Sequence, residues 1–248
     1  MFAKLRRNWL YLRYWLKASN GKGHGIHSPF VFKLTTDVLN DTRNFYAFEM
    51  IANSMKLRLN DNGLVKKDRH LFSVKHQIKY GQLLFRLVHY FSSQQILEIG
   101  YSFGITTAYM AAAKETANVV TLIPDIRHAS LTRAACESMQ LNNISFEVGS
   151  IDEMLQPLLQ KIEKVDLCYI HNCFTEDIFM RYFDQLHPFL HAFSVLVIHP
   201  IRTDDQATKN WQAMVKRSDI KLTIDLFDIG LIFFRKGRFE KEHFAIRF

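Results

Sequence analysis

From about residue 94 onward, short apolar runs alternate with longer stretches in which apolar residues recur every three or four positions. The runs QQILEI (94–99), NVVTLI (118–123), ISFEV (144–148), VDLCYI (165–170) and FSVLVI (193–198) are compact and nearly uninterrupted. A strand without polar alternation is one covered on both faces, so these runs predict a parallel sheet between two helical layers. GITTAYMAAAK (104–114) and RHASLTRAACESMQ (127–140) supply two of the covering helices, and a helical segment follows each later strand. KLTIDLFDIGLIFFRK (221–236) reads differently, as two strands flanking Asp228–Gly230 with no room for a helix between them. That is a hairpin, so one terminal strand must run antiparallel. The expected class is α/β, with a doubly wound, Rossmann-like sheet.

The first 92 residues are largely of helical pattern, broken at GKGHGIHSP (21–29) and NDNG (60–63). Phe2, Leu5, Trp9, Leu12 and Leu16 recur at helical spacing, with Lys4, Arg6, Arg7, Arg13 and Lys17 among them. This is a basic amphipathic helix carrying Trp9 and Trp15. Such a helix suits a membrane surface or a partner's groove. The more ordinary expectation is that its stripe packs on the body of its own protein. Arg13 breaks the uninterrupted run that a signal peptide needs, and no stretch of about 18 apolar residues exists, so no spanning helix is expected. The predicted organisation is a basic helical region over 1–79 leading into one α/β domain over 80–248, the two sharing a core if they pack together.

Charge changes this picture in one respect. The 248 residues carry 32 Lys and Arg against 24 Asp and Glu, a net of +8. Residues 1–80 hold 15 basic and 5 acidic residues, and the remainder 17 and 19. The whole positive excess therefore lies in the N-terminal third, which points that region at an acidic partner or an anionic membrane surface. No nucleic-acid recognition motif accompanies it. Three cysteines, Cys136, Cys168 and Cys173, leave one over from any pairing and favour a reducing, cytoplasmic setting.

The most informative segment runs from Ile96 to Thr106, where a strand ends in Glu98 and two glycines, Gly100 and Gly104, precede a helix. Gly100 permits a tight turn, and Gly104 permits a ligand to approach the backbone at the helix N-terminus. Gly21-Lys22-Gly23-His24-Gly25 lacks both the spacing of a phosphate loop and a preceding strand, and reads as a flexible joint.

With the glycine turn in this position, the chain resembles the class I S-adenosylmethionine-dependent methyltransferases. The resemblance covers 80–248 and is closest to a bacterial group related to catechol-type O-methyltransferases. That group shares the HGIHSPFVF stretch (24–32), the YGQLLFRLV helix (80–88) and an ending like TIDLF…GLIFFRK…HFAIRF. The resemblance implies a seven-stranded sheet with a terminal antiparallel hairpin. It also implies S-adenosylmethionine as cofactor, held by Glu98, Gly100, Tyr101, Ser102, Gly104 and Asp152.

Several positions depart from that pattern. Where the family has an acid for the ribose hydroxyls, this chain has Ile123, and the nearest acid is Asp125. The strand-end Ile-Asp-Gly-Asn-His-like motif is Ile170-His171-Asn172-Cys173-Phe174 here, and Asp-Asp-Ile-His is His199-Pro200-Ile201-Arg202. In catechol-type enzymes those aspartates hold Mg²⁺, a hard cation that needs oxygen ligands, so metal-dependent O-methylation of the usual kind is not expected.

Three readings follow. In the first, a methyltransferase works without Mg²⁺ on an unknown acceptor, with His171 or His199 as general base near neutral pH. In the second, a catalytically inactive relative acts through partner or membrane-surface binding by its N-terminal helix. In the third and weakest, His171, Cys173 and His199 bind a transition metal such as Zn²⁺.

Overall fold

The computed structural model describes residues 2–60, 74–100, 102–171, 178–235 and 240–248. Eight strands form one sheet: β1 (Gln95–Ile99), β2 (Asn118–Ile123), β3 (Ile144–Val148), β4 (Val165–His171), β5 (Leu190–His199), β6 (Leu222–Asp225), β7 (Gly230–Phe233) and β8 (Glu242–Ala245). Their order is β3-β2-β1-β4-β5-β7-β6-β8. β1 to β5 are parallel, and β7 runs antiparallel to both β5 and β6, as the hairpin sequence requires. The sheet has one strand more than the expected seven. β8, the short and mixed sequence EHFA, pairs in parallel with β6.

The helices are α1 (Phe2–Lys17), α2 (Pro29–Leu34) with a π-helical turn over Thr35–Leu39, α3 (Tyr46–Asn60), α4 (Val74–Phe91), α5 (Ile105–Ala113), α6 (Ile126–Ser138), α7 (Ile151–Ile162), α8 (Ile178–Leu186) and α9 (Asp205–Lys216). Successive strand residues point to opposite faces, and the two cores divide accordingly. Val195 and Val197 of β5 pack with Leu83, Leu84 and Leu87 of α4. Leu196 and Ile198, one residue out of phase, pack with Leu158 of α7, Phe183 of α8 and Trp211 of α9.

Part of the N-terminal region belongs to the same core. Ile26, Val31, Leu34, Val38 and Leu39 lie in one buried cluster with α4, Val197 and Leu231. α1 is attached further along the sheet. Its Tyr14 and Ala18 bury against Phe227, and the Ser19 N–H donates to Ala245 O at 2.8 Å.

The apolar stripe of α1 does not pack at home as expected. Leu5, Trp9, Leu12 and Leu16 are 56, 54, 54 and 66% exposed. The helix is held instead by its other side. Arg7 pairs with Asp228 at 2.7 Å, Arg6 pairs with Asp205, and the Tyr14 hydroxyl donates to Ile246 O. Polar anchoring turns the inner face of α1 to the sheet and the stripe to solvent.

Candidate functional site

The winding of a doubly wound sheet reverses between β1 and β4, and ligands of such folds bind outside the strand ends at that reversal. β1 ends at Ile99, in register with Ile170 of β4. Gly100 and His171 therefore begin the same rim of the sheet. Gly100 has φ +108°, in the left-handed region, and turns the chain out of the strand. Tyr101 lies outside the described residues.

The acid of this turn faces inward. Glu98 is fully buried and accepts hydrogen bonds from the hydroxyls of Thr106 and Thr107, at 2.5 Å each, and from Ser102 at 3.4 Å. Burial pushes its carboxyl above the usual range, and the Thr106 and Thr107 hydroxyls oppose that shift. Glu98 thus ties β1 to the first turn of α5. Ser102 Oγ also accepts from the Thr106 N–H at 3.1 Å.

Gly104, with φ +82°, is needed for a reason the sequence pattern did not supply. A Cβ there would lie 2.9 Å from Ala135 Cβ and 3.1 Å from Thr132 O, both on α6. The close approach at this glycine is by a neighbouring helix.

After β2, Ile123 is fully buried. Asp125 caps α6, accepting from the His128 N–H at 3.0 Å, with His128 Nδ1 at 3.1 Å from the same carboxylate oxygen. The backbone hydrogen bond to His128 holds its pKa below the usual carboxylate value. After β3, Asp152 in the first turn of α7 pairs with Arg181 at 2.6 Å. Both carboxylates are about half exposed at the carboxyl edge of the sheet.

The two histidines expected together are together. His171 and His199 are directly paired in the β4–β5 register, and their rings stack with centroids 5.0 Å apart. Tyr169, two residues before His171 on the same face, stacks on it at 5.6 Å. Its hydroxyl is 3.4 Å from His199 Nδ1. Tyr80 of α4 lies 4.7 Å from the His199 ring and donates its hydroxyl to Asp228 at 3.1 Å. Asp228 also accepts from Arg7. Burial, aided by repulsion from His76 and Arg7, lowers the His199 pKa to about 3. His199 therefore does not titrate near neutrality as expected. At neutral pH it is an uncharged hydrogen-bonding group with little driving force as a base.

Arg202 has a partner of its own. Its guanidinium grips both oxygens of buried Asp225, and Asp225 also accepts from the Phe227 N–H at 2.9 Å and Trp211 Nε1 at 3.3 Å. Arg202 is thereby tied to the β6–β7 hairpin.

The described strand-end residues His171 and His199 offer imidazole nitrogens, which a hard divalent cation does not prefer as ligands. The positions beside the rim carry stacked imidazoles, and among the described residues no group of three His, Cys, Asp or Glu could hold a metal ion. Cys173, Asn172 and Phe174 lie outside the described residues.

Comparison with solved structures decides the fold. The chain has the class I methyltransferase fold. The S-adenosylhomocysteine-bound methyltransferase PaMTH1 from Podospora anserina matches with a TM-score of 0.62 at 13% identity, over 85% of this chain and 97% of that one. The Bacillus cereus O-methyltransferase in complex with S-adenosylhomocysteine gives 0.56 at 19%, over 82% and 97%. TomG, the Streptomyces achromogenes O-methyltransferase of tomaymycin synthesis bound to S-adenosylmethionine, gives 0.56 at 17%, over 82% and 96%. No protein-family model and no curated protein sequence matches the chain.

Within this methyltransferase fold, sequence reasoning missed the residues that surround His199. Tyr169 was within reach, because a strand places residues i and i+2 on one face. Tyr80, Asp228 and Arg7 come from α4, the β6–β7 turn and α1, and no local pattern joins them.

Proposed function

We propose that the chain is an S-adenosylmethionine-dependent methyltransferase that acts without Mg²⁺ on an unidentified acceptor. The observation that carries this reading is the left-handed turn at Gly100, set at the reversal of the sheet beside His171. The chemistry present suits the cofactor. Asp125 and Asp152 are the half-exposed carboxylates left after β2 and β3, and carboxylates accept ribose and adenine donors. Backbone groups of Gly100, Ser102 and Gly104 would line the methionine end, with Glu98 bracing the turn from inside. When bound, S-adenosylmethionine supplies a sulfonium methyl group already activated for attack, so the protein has mainly to orient the acceptor. His171 would meet the acceptor, while His199, Tyr169 and Tyr80 would position it in an apolar, water-poor wall.

A second reading, a methyltransferase fold that has lost its chemistry, is favoured by one set of observations. Four of the expected anchors are already engaged within the protein: Glu98 by Thr106 and Thr107, the space at Gly104 by α6, Asp125 by His128 and Asp152 by Arg181. Thermal unfolding with S-adenosylhomocysteine separates the two. A rise in Tm that is smaller in Asp125→Ala supports the first, and an unchanged Tm at millimolar ligand supports the second. A cytoplasmic location goes with the first reading, since three cysteines in 248 residues, an odd number, suit a reducing compartment better than a disulfide framework.

A further inference from the structure

The exposed side of α1 is an apolar feature that neither the core nor the site absorbs. Leu5, Trp9, Leu12 and Leu16 stand at i, i+4, i+7 and i+11, a single line about 17 Å long at 1.5 Å per residue. All four face away from the sheet, because Leu10, Tyr14 and Ala18 on the reverse of the helix make the contact with Phe227 and Ala245. Trp15 and Tyr11 are exposed on its flank. Folded monomers rarely leave such a stripe uncovered without a use for it.

The charges around the stripe say what covers it. α1 contains no acidic residue. Arg13 and Lys17 are exposed on the other flank, and the Arg13 guanidinium sits 4.6 Å over the Trp9 ring. Arg247 lies 4.0 Å over Trp15 and donates to the Trp15 carbonyl. Residues 1–80 together carry 15 basic side chains and 5 acidic ones. Cations with long apolar stems beside indole rings are the arrangement that settles at a headgroup boundary, rings inward and charges in the polar layer.

A second copy packed helix to helix would bring Arg13 and Lys17 against their own kind, with no acid on α1 to meet them. An acidic peptide would need a concave groove, and α1 presents one convex ridge. A flat anionic surface asks for neither. We propose that α1 docks the protein on an anionic bilayer surface, with Leu5, Trp9, Leu12 and Leu16 in the interface and Arg13 and Lys17 against the lipid headgroups. This docking stands without the methyltransferase reading, and vesicle flotation involves neither cofactor nor activity.

The experiment is flotation of the full chain with vesicles of phosphatidylcholine alone and of phosphatidylcholine containing a third phosphatidylserine. The chain is expected to float with the anionic vesicles, weakly or not at all with the neutral ones, and less at high salt. Tryptophan emission should shift to the blue on binding, because Trp9 and Trp15 leave water while Trp211 is already buried. Leu12→Ser with Leu16→Ser should cut partitioning about tenfold or more at unchanged Tm, since both side chains are exposed in the free protein. If that pair lowers Tm, Arg13→Glu with Lys17→Glu provides the same test through charge and should also release the protein. Failure to float with anionic vesicles overturns the proposal, as does flotation that neither double variant reduces. Binding to polyglutamate as strong as to the vesicles would overturn it in favour of an acidic polypeptide. A concentration-dependent dimer abolished by the leucine variant, without vesicle binding, would assign the stripe to a second copy.

Discussion

Gly104 and Ala135 stand so close that a Cβ on the glycine would lie 2.9 Å from the Cβ of the alanine. The glycine turn of this methyltransferase fold is thus fixed by helix packing as well as by its own backbone. Gly104→Ala combines overpacking with a left-handed φ of +82° for a residue with a side chain, a cost of about 2–4 kcal/mol. Adding Ala135→Gly should recover part of it, leaving the backbone strain and the contact with Thr132 O. Urea denaturation of the two single variants and the double variant measures the coupling, and strict additivity would show that α6 is not what Gly104 accommodates.

The Glu98 carboxyl, buried under Thr106 and Thr107, has its pKa raised by burial. A group whose pKa is raised on folding contributes its full stability below the unfolded value and loses it as pH rises through the higher folded value. Glu98→Gln removes the titration and keeps an acceptor. It should therefore compare better with the parent at pH 8 than at pH 4. Glu98→Leu leaves the three buried hydroxyls of Thr106, Thr107 and Ser102 without this acceptor, at a cost of about 1–3 kcal/mol for each that finds no other. Chemical denaturation at the two pH values checks both.

His199 gives the opposite sign. Its folded pKa is about 3, below the ordinary histidine value, so the unfolded chain takes up a proton that the folded chain refuses. Stability from this group is complete above about pH 6.5 and falls as pH drops toward 3, by at most about 1.4 kcal/mol per pH unit. His199→Asn should flatten this part of the pH profile. The difference between parent and variant should change steadily between pH 6.5 and pH 4, and an unchanged difference would mean that His199 is not held neutral by its surroundings.

Arg202 and Asp225 form a nearly buried pair, 14 and 4% exposed at the side chain. Arg202→Met removes the charge and leaves Asp225 with only its Phe227 N–H and Trp211 donors, at a cost of about 3–5 kcal/mol. A stability loss below 1 kcal/mol in thermal or urea unfolding would place this pair among the weak ones. In the same assays, millimolar Mg²⁺ or a chelator should leave Tm unchanged, because the strand ends carry imidazoles where a hard cation needs carboxylates.

The sheet was legible because its strands are covered on both faces and so read as unbroken apolar runs. β1 to β4 start and end within a residue or two of their runs, and the β6–β7 hairpin follows from Asp228–Gly230. β8 was not legible, since EHFA has neither alternation nor an apolar run and is a strand only through its pairing with β6. That His171 and His199 lie side by side was readable from two adjacent strand ends, but the stacking of their rings and the pKa of His199 were not. That value depends on Tyr80 and Tyr169 closing over the ring, which are contacts across 119 and 30 residues of chain. The outward stripe of α1 was hidden for the same reason. The spacing shows that the helix has an apolar face, but Tyr14, Ala18 and the Arg7–Asp228 pair decide which face meets the sheet.

Isothermal titration of S-adenosylmethionine and S-adenosylhomocysteine into the purified chain tests the central claim most directly. Saturable binding of both, weakened about tenfold by Asp125→Ala through loss of one charge-assisted hydrogen-bond acceptor, is the predicted result. No heat of binding for either ligand at millimolar concentration would contradict it.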